Sequence, residues 1–185
     1  MILPIVAYGD PVLRELGKEI EANDKSIQVL IEEMFETMYA ADGVGLAAPQ
    51  VGKSLRLFVV DASSFSEEEP ALEGFKRVFI NPRIIEETGE SWPFKEGCLS
   101  IPGIREQVSR KDTVKLSYQD EDFNEKEEVF TGMAARIIQH EYDHIEGILF
   151  VDKINPLKKR MLKGRLQDIV KGKVKISYKM RFPKK

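Results

Sequence analysis

Apolar positions change their period several times along this chain, and each change marks an element. Ile27, Leu30, Ile31, Met34, Phe35 and Met38 recur at i, i+3, i+4 and i+7 spacing. That stripe predicts an amphipathic helix over 24–41, capped by Asp24, with its apolar face in the core. The small residues Gly43 to Gln50 predict a loop. Leu55 to Val60 and Arg77 to Ile80 read as buried strands, and the acidic, serine-rich stretch Ser63 to Gly74 between them as an exposed excursion. Thr113 to Tyr118 alternates Val114, Leu116 and Tyr118 against polar residues, and a turn through 120–124 leads into Lys126 to Phe130, which predicts a hairpin. A second helix is expected at about 132–146, started by Thr131 and stopped by Gly147. Asn155-Pro156 opens a third, with cap and first-turn proline in order; Leu162, Leu166 and Ile169 give it a stripe that Gly164 weakens. Val174, Ile176 and Tyr178 alternate over Lys173 to Tyr178 and predict a final strand. Together these elements predict an α+β fold, with antiparallel strands and sheets around a central helix and a C-terminal helix after it.

Composition narrows the class. A length of 185 residues predicts one domain, 1–185, with a substantial core. Apolar content of 42% and charged content of 32% are ordinary for a soluble globular protein. No apolar run approaches the roughly 20 residues of a membrane span, so no membrane partner is expected. The N-terminal apolar patch is broken by Pro4 and has no basic leader, which predicts that it is not a secretory signal. One cysteine permits no internal disulfide and suits a reducing cytosol. Net charge is −3 but uneven: residues 153–185 hold 13 Lys/Arg and one acid, a balance of +12, which leaves −15 on the rest. This basic segment reads either as a solvated helix or as a contact for an anionic partner such as RNA.

The scarce residue types carry the chemistry. Both histidines fall in one word, His140-Glu141-Tyr142-Asp143-His144. On a helix, positions i and i+4 lie about 40° apart, so His140 and His144 project from one face and can share a metal, with Glu141 beside them as an acid/base. Met133 and Ile137 lie on the same stripe, so the metal face is partly apolar.

A catalytic site of this kind needs three protein ligands and one open position. Phe150 stands where a third histidine would follow in one class of metalloprotease, and no glutamate occurs after Glu146 to serve as in another. Asp152 and Asp168 are weak substitutes. Cys98, the chain's one thiol, is the remaining candidate, and as thiolate it suits zinc or ferrous iron.

Three segments then match a known signature. Gly43-Val44-Gly45-Leu46-Ala47-Ala48-Pro49-Gln50, Glu96-Gly97-Cys98-Leu99-Ser100 and Gln139-His140-Glu141-Tyr142-Asp143-His144 resemble, in order and separation, the motifs of the peptide deformylases. Ile101-Pro102-Gly103-Ile104-Arg105 extends the second match, and the likeness covers nearly the whole chain. The resemblance implies a bacterial, cytoplasmic enzyme that hydrolyses the formyl group from formyl-methionyl nascent peptides and releases formate. It implies a metal held by Cys98, His140 and His144 that generates hydroxide near neutral pH, with Glu141 moving the proton. Gln50 and the backbone N–H of Leu99 would donate to the oxyanion. Val44 and Gly45 would pair with an extended substrate, Met133 and Ile137 would line a pocket for the methionine side chain, and Arg105 would meet the substrate. Ferrous iron is the ion the family implies, with zinc, nickel or cobalt as substitutes.

Arg136 departs from relatives that carry an apolar residue there and predicts a more polar pocket rim. Glu96 and Arg110 are expected to pair and brace the Cys98 loop. The basic segment is expected to touch ribosomal RNA near the peptide exit, with no role for DNA. Two other readings stand beside this one. One is a zinc endopeptidase using Asp152 or Asp168 as third ligand. The other is a structural metal module on an RNA-binding protein.

Overall fold

Two strands far longer than the hydrophobic pattern predicts organise the fold. The computed structural model describes residues 1–22 and 24–184; Lys185, the last lysine of the basic segment, lies outside the described residues. In chain order the elements are β1 (Ile5–Val6), α1 (Ser26–Ala40), β2 (Gly45–Ala47), β3 (Leu57–Asp61), β4 (Lys76–Cys98), β5 (Ile101–Gln119), β6 (Glu125–Thr131), α2 (Gly132–Ile145), α3 (Pro156–Val170) and β7 (Met180–Arg181). Strands β2 to β6 form one antiparallel sheet in sequence order, and β1 pairs with β7 in parallel.

The sheet is apolar on both faces because it has a helix on each. Leu57, Val59, Val78 and Ile80 pack with the α1 stripe Ile27, Leu30, Ile31, Met34, Phe35 and Met38. Phe58, Val60, Phe79, Val114 and Leu116 pack with Met133, Ala134, Ile137 and Ile138 of α2. Alternate residues of β3 thus serve opposite cores, which is why its sequence reads as an unbroken apolar run. A third core joins Leu162, Leu166 and Ile169 of α3 to Ile101, Ile104 and Val108 of β5. The predicted stripes of all three helices are therefore buried.

The β4–β5 pair extends well past the sheet, to a two-residue turn at Leu99-Ser100 that closes on the Cys98–Ile101 pair. Only 77–80 and 113–118 of it were expected as strand. Pro82, Gly89, Pro93 and Gly97 interrupt β4, and its register shifts at Ile80/Arg83, Ile84/Glu86, Thr88/Ser91 and Gly97/Cys98. Such irregularities bend a strand and increase its twist. They also break the period-two signal on which a strand prediction depends.

Other departures are local. Asp24 accepts from the N–H of Ser26 at 2.9 Å and from its hydroxyl at 2.7 Å, one residue before the N-cap position of α1, Lys25. Thr131 stands at the start of α2, but its side chain makes no capping bond. Glu69 does so instead, accepting from Met133 N–H at 3.0 Å, so the predicted excursion at 63–74 supplies the charge at that helix N-terminus. The same segment buries Leu72. Residues 173–178 are not a strand; the pairing comes later, at Met180–Arg181. The expected ends of α2 and α3 do form. Gly147, at φ +72°, closes α2, with Gly147 N–H donating to His144 O at 3.2 Å and Ile148 N–H to Asp143 O at 2.9 Å. Asn155 caps α3 by accepting from Leu157 N–H at 2.9 Å.

Candidate metal centre and active site

The helix α2 is buried on nearly every side, and Arg136, Gln139, His140, Glu141, Asp143 and His144 are all buried with it. Buried polar side chains need partners inside the protein. The bent β4–β5 ribbon supplies them. Gln139 Nε2 donates to Lys111 O at 2.9 Å. Arg136 donates to Val108 O at 2.9 Å and to Trp92 O at 2.5 Å, with its guanidinium 4.3 Å from the Trp92 ring centroid.

Glu96 is the hub of this contact. Its carboxylate accepts from Arg110 at 2.7 and 2.9 Å, from Arg136 at 2.6 Å and from His140 Nδ1 at 2.8 Å. Arg110 also donates to Asp143 at 2.8 Å, so two carboxylates face two guanidiniums. Burial pushes the Glu96 carboxyl up, but His140 and Arg110 outweigh it and hold it well below the usual range. The expected Glu96–Arg110 pair is present. The expectation for Arg136 needs correcting: it borders the pocket, but its charge is spent inward on Glu96 and it is only 2% exposed, so the rim gains no free cation from it.

The ribbon also delivers Cys98 to the helix. Cys98 Sγ lies 3.4 Å from His144 Nε2, and ligand atoms of Cys98, His140 and His144 all fall within 4.8 Å of one another. Two ligands bound to one tetrahedral ion at ordinary Zn–S and Zn–N lengths would stand about 3.5 Å apart. The Cys98–His144 spacing therefore fits a metal, and so does the chemistry of a thiolate with two imidazoles. Burial lowers the His140 imidazole, but Cys98 and Glu96 raise it on balance to about 10. A divalent cation on the same groups would supply that positive charge in place of the proton. His144 is held well below its ordinary value by burial and by the neighbouring His140 charge. The ring of Phe150, at the position where a third histidine would fall, stacks on His140 with centroids 6.1 Å apart.

Asp152 and Asp168 do not join this trio. Asp152 is bound to Arg14, Lys159 and Leu149 N–H, and Asp168 is exposed on α3.

Glu141 is buried with Oε2 free of any protein partner among the described residues, and burial pushes its carboxyl up to about 7 against the pull of the His140 charge. The segment 43–50, expected as a loop, instead pairs with β3 as β2 and continues into a 3-10 turn, and its small residues make room for Glu141: a Cβ at Gly45 would lie 2.6 Å from Glu141 Oε1. Gln50 Oε1 accepts from Ala47 N–H at 3.0 Å, which orients the amide. Its Nε2 donates to Ser100 Oγ at 3.2 Å and points at Cys98 Sγ at 3.4 Å.

One cavity of about 580 Å³ is bordered by Val44, Gly45, Gln50, Cys98, Leu99, Arg105, Met133, Ile137, His140 and Glu141, and His144 reaches the group through Cys98. The site residues that the family resemblance implied thus meet at one place, while Asp152 and Asp168 lie apart from it. Others there were not anticipated. Ser100 holds Gln50, Asp143 holds Arg110, Phe65 and Phe94 add apolar wall, and Lys175 to Tyr178 close one side. Ser100 and Asp143 stood inside the quoted motifs. Phe94 lies just before the second motif, and Phe65 and Lys175 to Tyr178 come from segments distant in sequence whose local pattern does not point to the site.

A buried carboxylate beside one thiol and two imidazoles, on a helix enclosed by a bent antiparallel ribbon, defines a metal-dependent hydrolase. The polypeptide deformylase family model matches residues 2–160. The peptide deformylase of Flavobacterium johnsoniae is 56% identical, covering 98% of this chain and 96% of that one; the one from Christiangramia forsetii is 53% identical over 99% and 97%. The crystal structure of a peptide deformylase from Legionella pneumophila superposes with a TM-score of 0.82 at 39% identity, covering 94% of this chain and 98% of that one. The chain belongs to the polypeptide deformylase family. It is a metal-dependent hydrolase that removes the N-terminal formyl group from nascent peptides, and the endopeptidase and RNA-binding-module readings find no support.

Proposed function

We propose that Cys98, His140 and His144 hold one divalent ion, ferrous iron in the cell, and that Glu141 moves the proton during deformylation. Zinc, nickel or cobalt can take the same ligands. The ion, when bound, supplies Lewis acidity that makes water a nucleophile near neutral pH. The observation that carries this reading is the buried Glu141 carboxylate beside the three converging ligands. Lying against the same cavity as Cys98 and His140, it takes a proton from the attacking water and later gives it to the leaving amine.

Gln50 Nε2 and the Leu99 backbone N–H donate to the oxygen that becomes charged as the formyl carbon turns tetrahedral. Gln50 is pre-oriented for this, because both its amide atoms are already engaged and one N–H is directed toward Cys98. Val44 and Gly45 pair with the extended peptide, Met133 and Ile137 receive the methionine side chain, and Arg105, exposed at the cavity rim, meets the substrate farther out.

We read 1–185 as one catalytic domain acting in the bacterial cytoplasm, with 153–185 as its basic segment. No helix among the described residues is long and apolar enough to cross a membrane. The +12 charge of the basic segment favours a salt-sensitive contact with ribosomal RNA.

Anaerobic formate release from a formyl-methionyl tripeptide, with metal analysis of the same sample, tests the central reading. Activity that follows iron content is expected. Iron-loaded protein that releases no formate would overturn it.

A further inference from the structure

The family model ends at residue 160, yet four consecutive residues beyond it, Lys175 to Tyr178, border the metal cavity. They belong to a strap that runs back from α3. Val174, Ile176, Tyr178 and Met180 are partly buried, while Lys173, Lys175, Ser177 and Lys179 between them are exposed. The strap is anchored by backbone: Ile5 N–H donates to Lys179 O and Ala7 N–H to Arg181 O, each at 2.9 Å. Just before these anchors, the Tyr178 hydroxyl donates to the Leu99 carbonyl at 2.7 Å.

Leu99 and Ser100 form the turn that ends the β4–β5 ribbon, and four contacts hold it. Gln50 Nε2 binds Ser100 Oγ, and Tyr8 N–H donates to the Ser100 carbonyl at 2.8 Å. The Leu99 side chain rests over Gly43, where a Cβ would lie 2.8 Å from Leu99 Cδ1. Tyr178 is the fourth, and of these it alone comes from outside the part of the chain that the family model covers.

We propose that Tyr178 is a positioning residue for deformylation: its hydroxyl pins the Leu99 carbonyl and so orients the Leu99 N–H toward the forming oxyanion. The inference rests on the reading of Leu99 and Gln50 as oxyanion donors. A turn residue linked to Cys98 on one side and held by its own carbonyl on the other has little freedom left for its N–H. Donor efficiency depends on such placement, to within about 0.5 Å and 10–20°. The strap thus extends the active site into a segment beyond the residues that the family model covers.

Tyr178→Phe removes one hydroxyl and leaves the ring. In metal-loaded enzyme with a formyl-methionyl tripeptide, kcat should fall about five- to tenfold, the loss expected for one hydrogen bond. KM and metal content should stay unchanged, Tm should move by no more than about 4 °C, and the Leu99 amide should exchange faster with solvent. Gln50→Ala, run in parallel, should lose about 10²–10³ in kcat. A Tyr178→Phe enzyme with wild-type kcat, beside a crippled Gln50→Ala, overturns the inference and leaves the oxyanion reading standing. Wild-type kcat in Gln50→Ala removes the oxyanion reading, and the inference with it. A fall in Tyr178→Phe activity matched by lost metal or a collapsed Tm makes the residue a structural strut and also overturns the proposal.

Discussion

Glu96 accepts the Nδ1 hydrogen of His140 at 2.8 Å, which leaves Nε2 as the nitrogen free to ligate. The carboxylate sits on the ribbon and the imidazole on α2, so one contact joins the two elements that form the site and would set the tautomer of His140 in its proposed role as a ligand.

Glu96→Gln should therefore damage two properties together. Metal affinity should weaken about 10–100-fold, as for other partners that orient a ligating histidine. Stability should drop by about 3–5 kcal/mol, because Arg136 and Arg110 remain buried with their shared carboxylate neutralised. Titration against a chelator and urea unfolding measure the two separately, and an affinity within twofold of wild type would contradict the coupling.

Glu141→Gln keeps the volume and removes the proposed base. Formate release should fall by about 10²–10⁴ in kcat while metal content stays that of the wild type. Activity retained by this variant would assign the proton transfer to another group.

Two glycines should respond in opposite ways to an added methyl group. At Gly45 a Cβ would lie 2.6 Å from Glu141 Oε1, so Gly45→Ala should displace that carboxylate and lower kcat even where the fold survives. At Gly164, inside α3, a Cβ meets nothing within 4 Å, and Gly164→Ala should stabilise the protein by about 1 kcal/mol, raising Tm by roughly 2–4 °C. Thermal melts and a formate assay on both variants decide the matter.

Acid should release a defined part of the stability. Burial pushes the Asp152 carboxyl up, but Arg14 Nη1 at 2.5 Å and the Leu149 N–H at 3.0 Å outweigh it and hold it below its ordinary value. A group depressed in the fold stabilises it above the unfolded-chain pKa of about 3.9, and that contribution disappears as pH falls through the lower folded value. Asp152→Asn should thus be less stable than wild type at pH 7, with the difference shrinking below about pH 4. Urea midpoints at pH 7, 5 and 3 measure it, and a gap independent of pH would count against the assignment.

Much of the site could be read in the chain because it is carried by rare residue types in short words. Two histidines four apart on a helix must share a face wherever that helix packs, and a single cysteine leaves little choice of thiol. The stripes of α1 and α3 were legible for a similar reason, since each turns one apolar face to a core and the other to water. The ribbon was not. Its outer half has glycines, prolines and register shifts where a strand signal needs alternation, and its residues face a helix rather than a sheet core.

The amino-acid sequence by itself determined the candidate ligand types, the helix that carries two of them and the excess of positive charge after residue 152, and it marked the small residues 43–50 beside the buried carboxylate, although these form β2 and a 3-10 turn rather than the expected loop. Local geometry and composition suffice for those. Only the tertiary structure decided that Arg136 turns inward to Glu96, that Glu69 rather than Thr131 supplies the side-chain cap of α2, and that Tyr178 reaches Leu99 across 79 positions. Each of these is a buried or partly buried polar group choosing a distant partner. That choice is made by which segments pack together, and no periodicity along the chain records it.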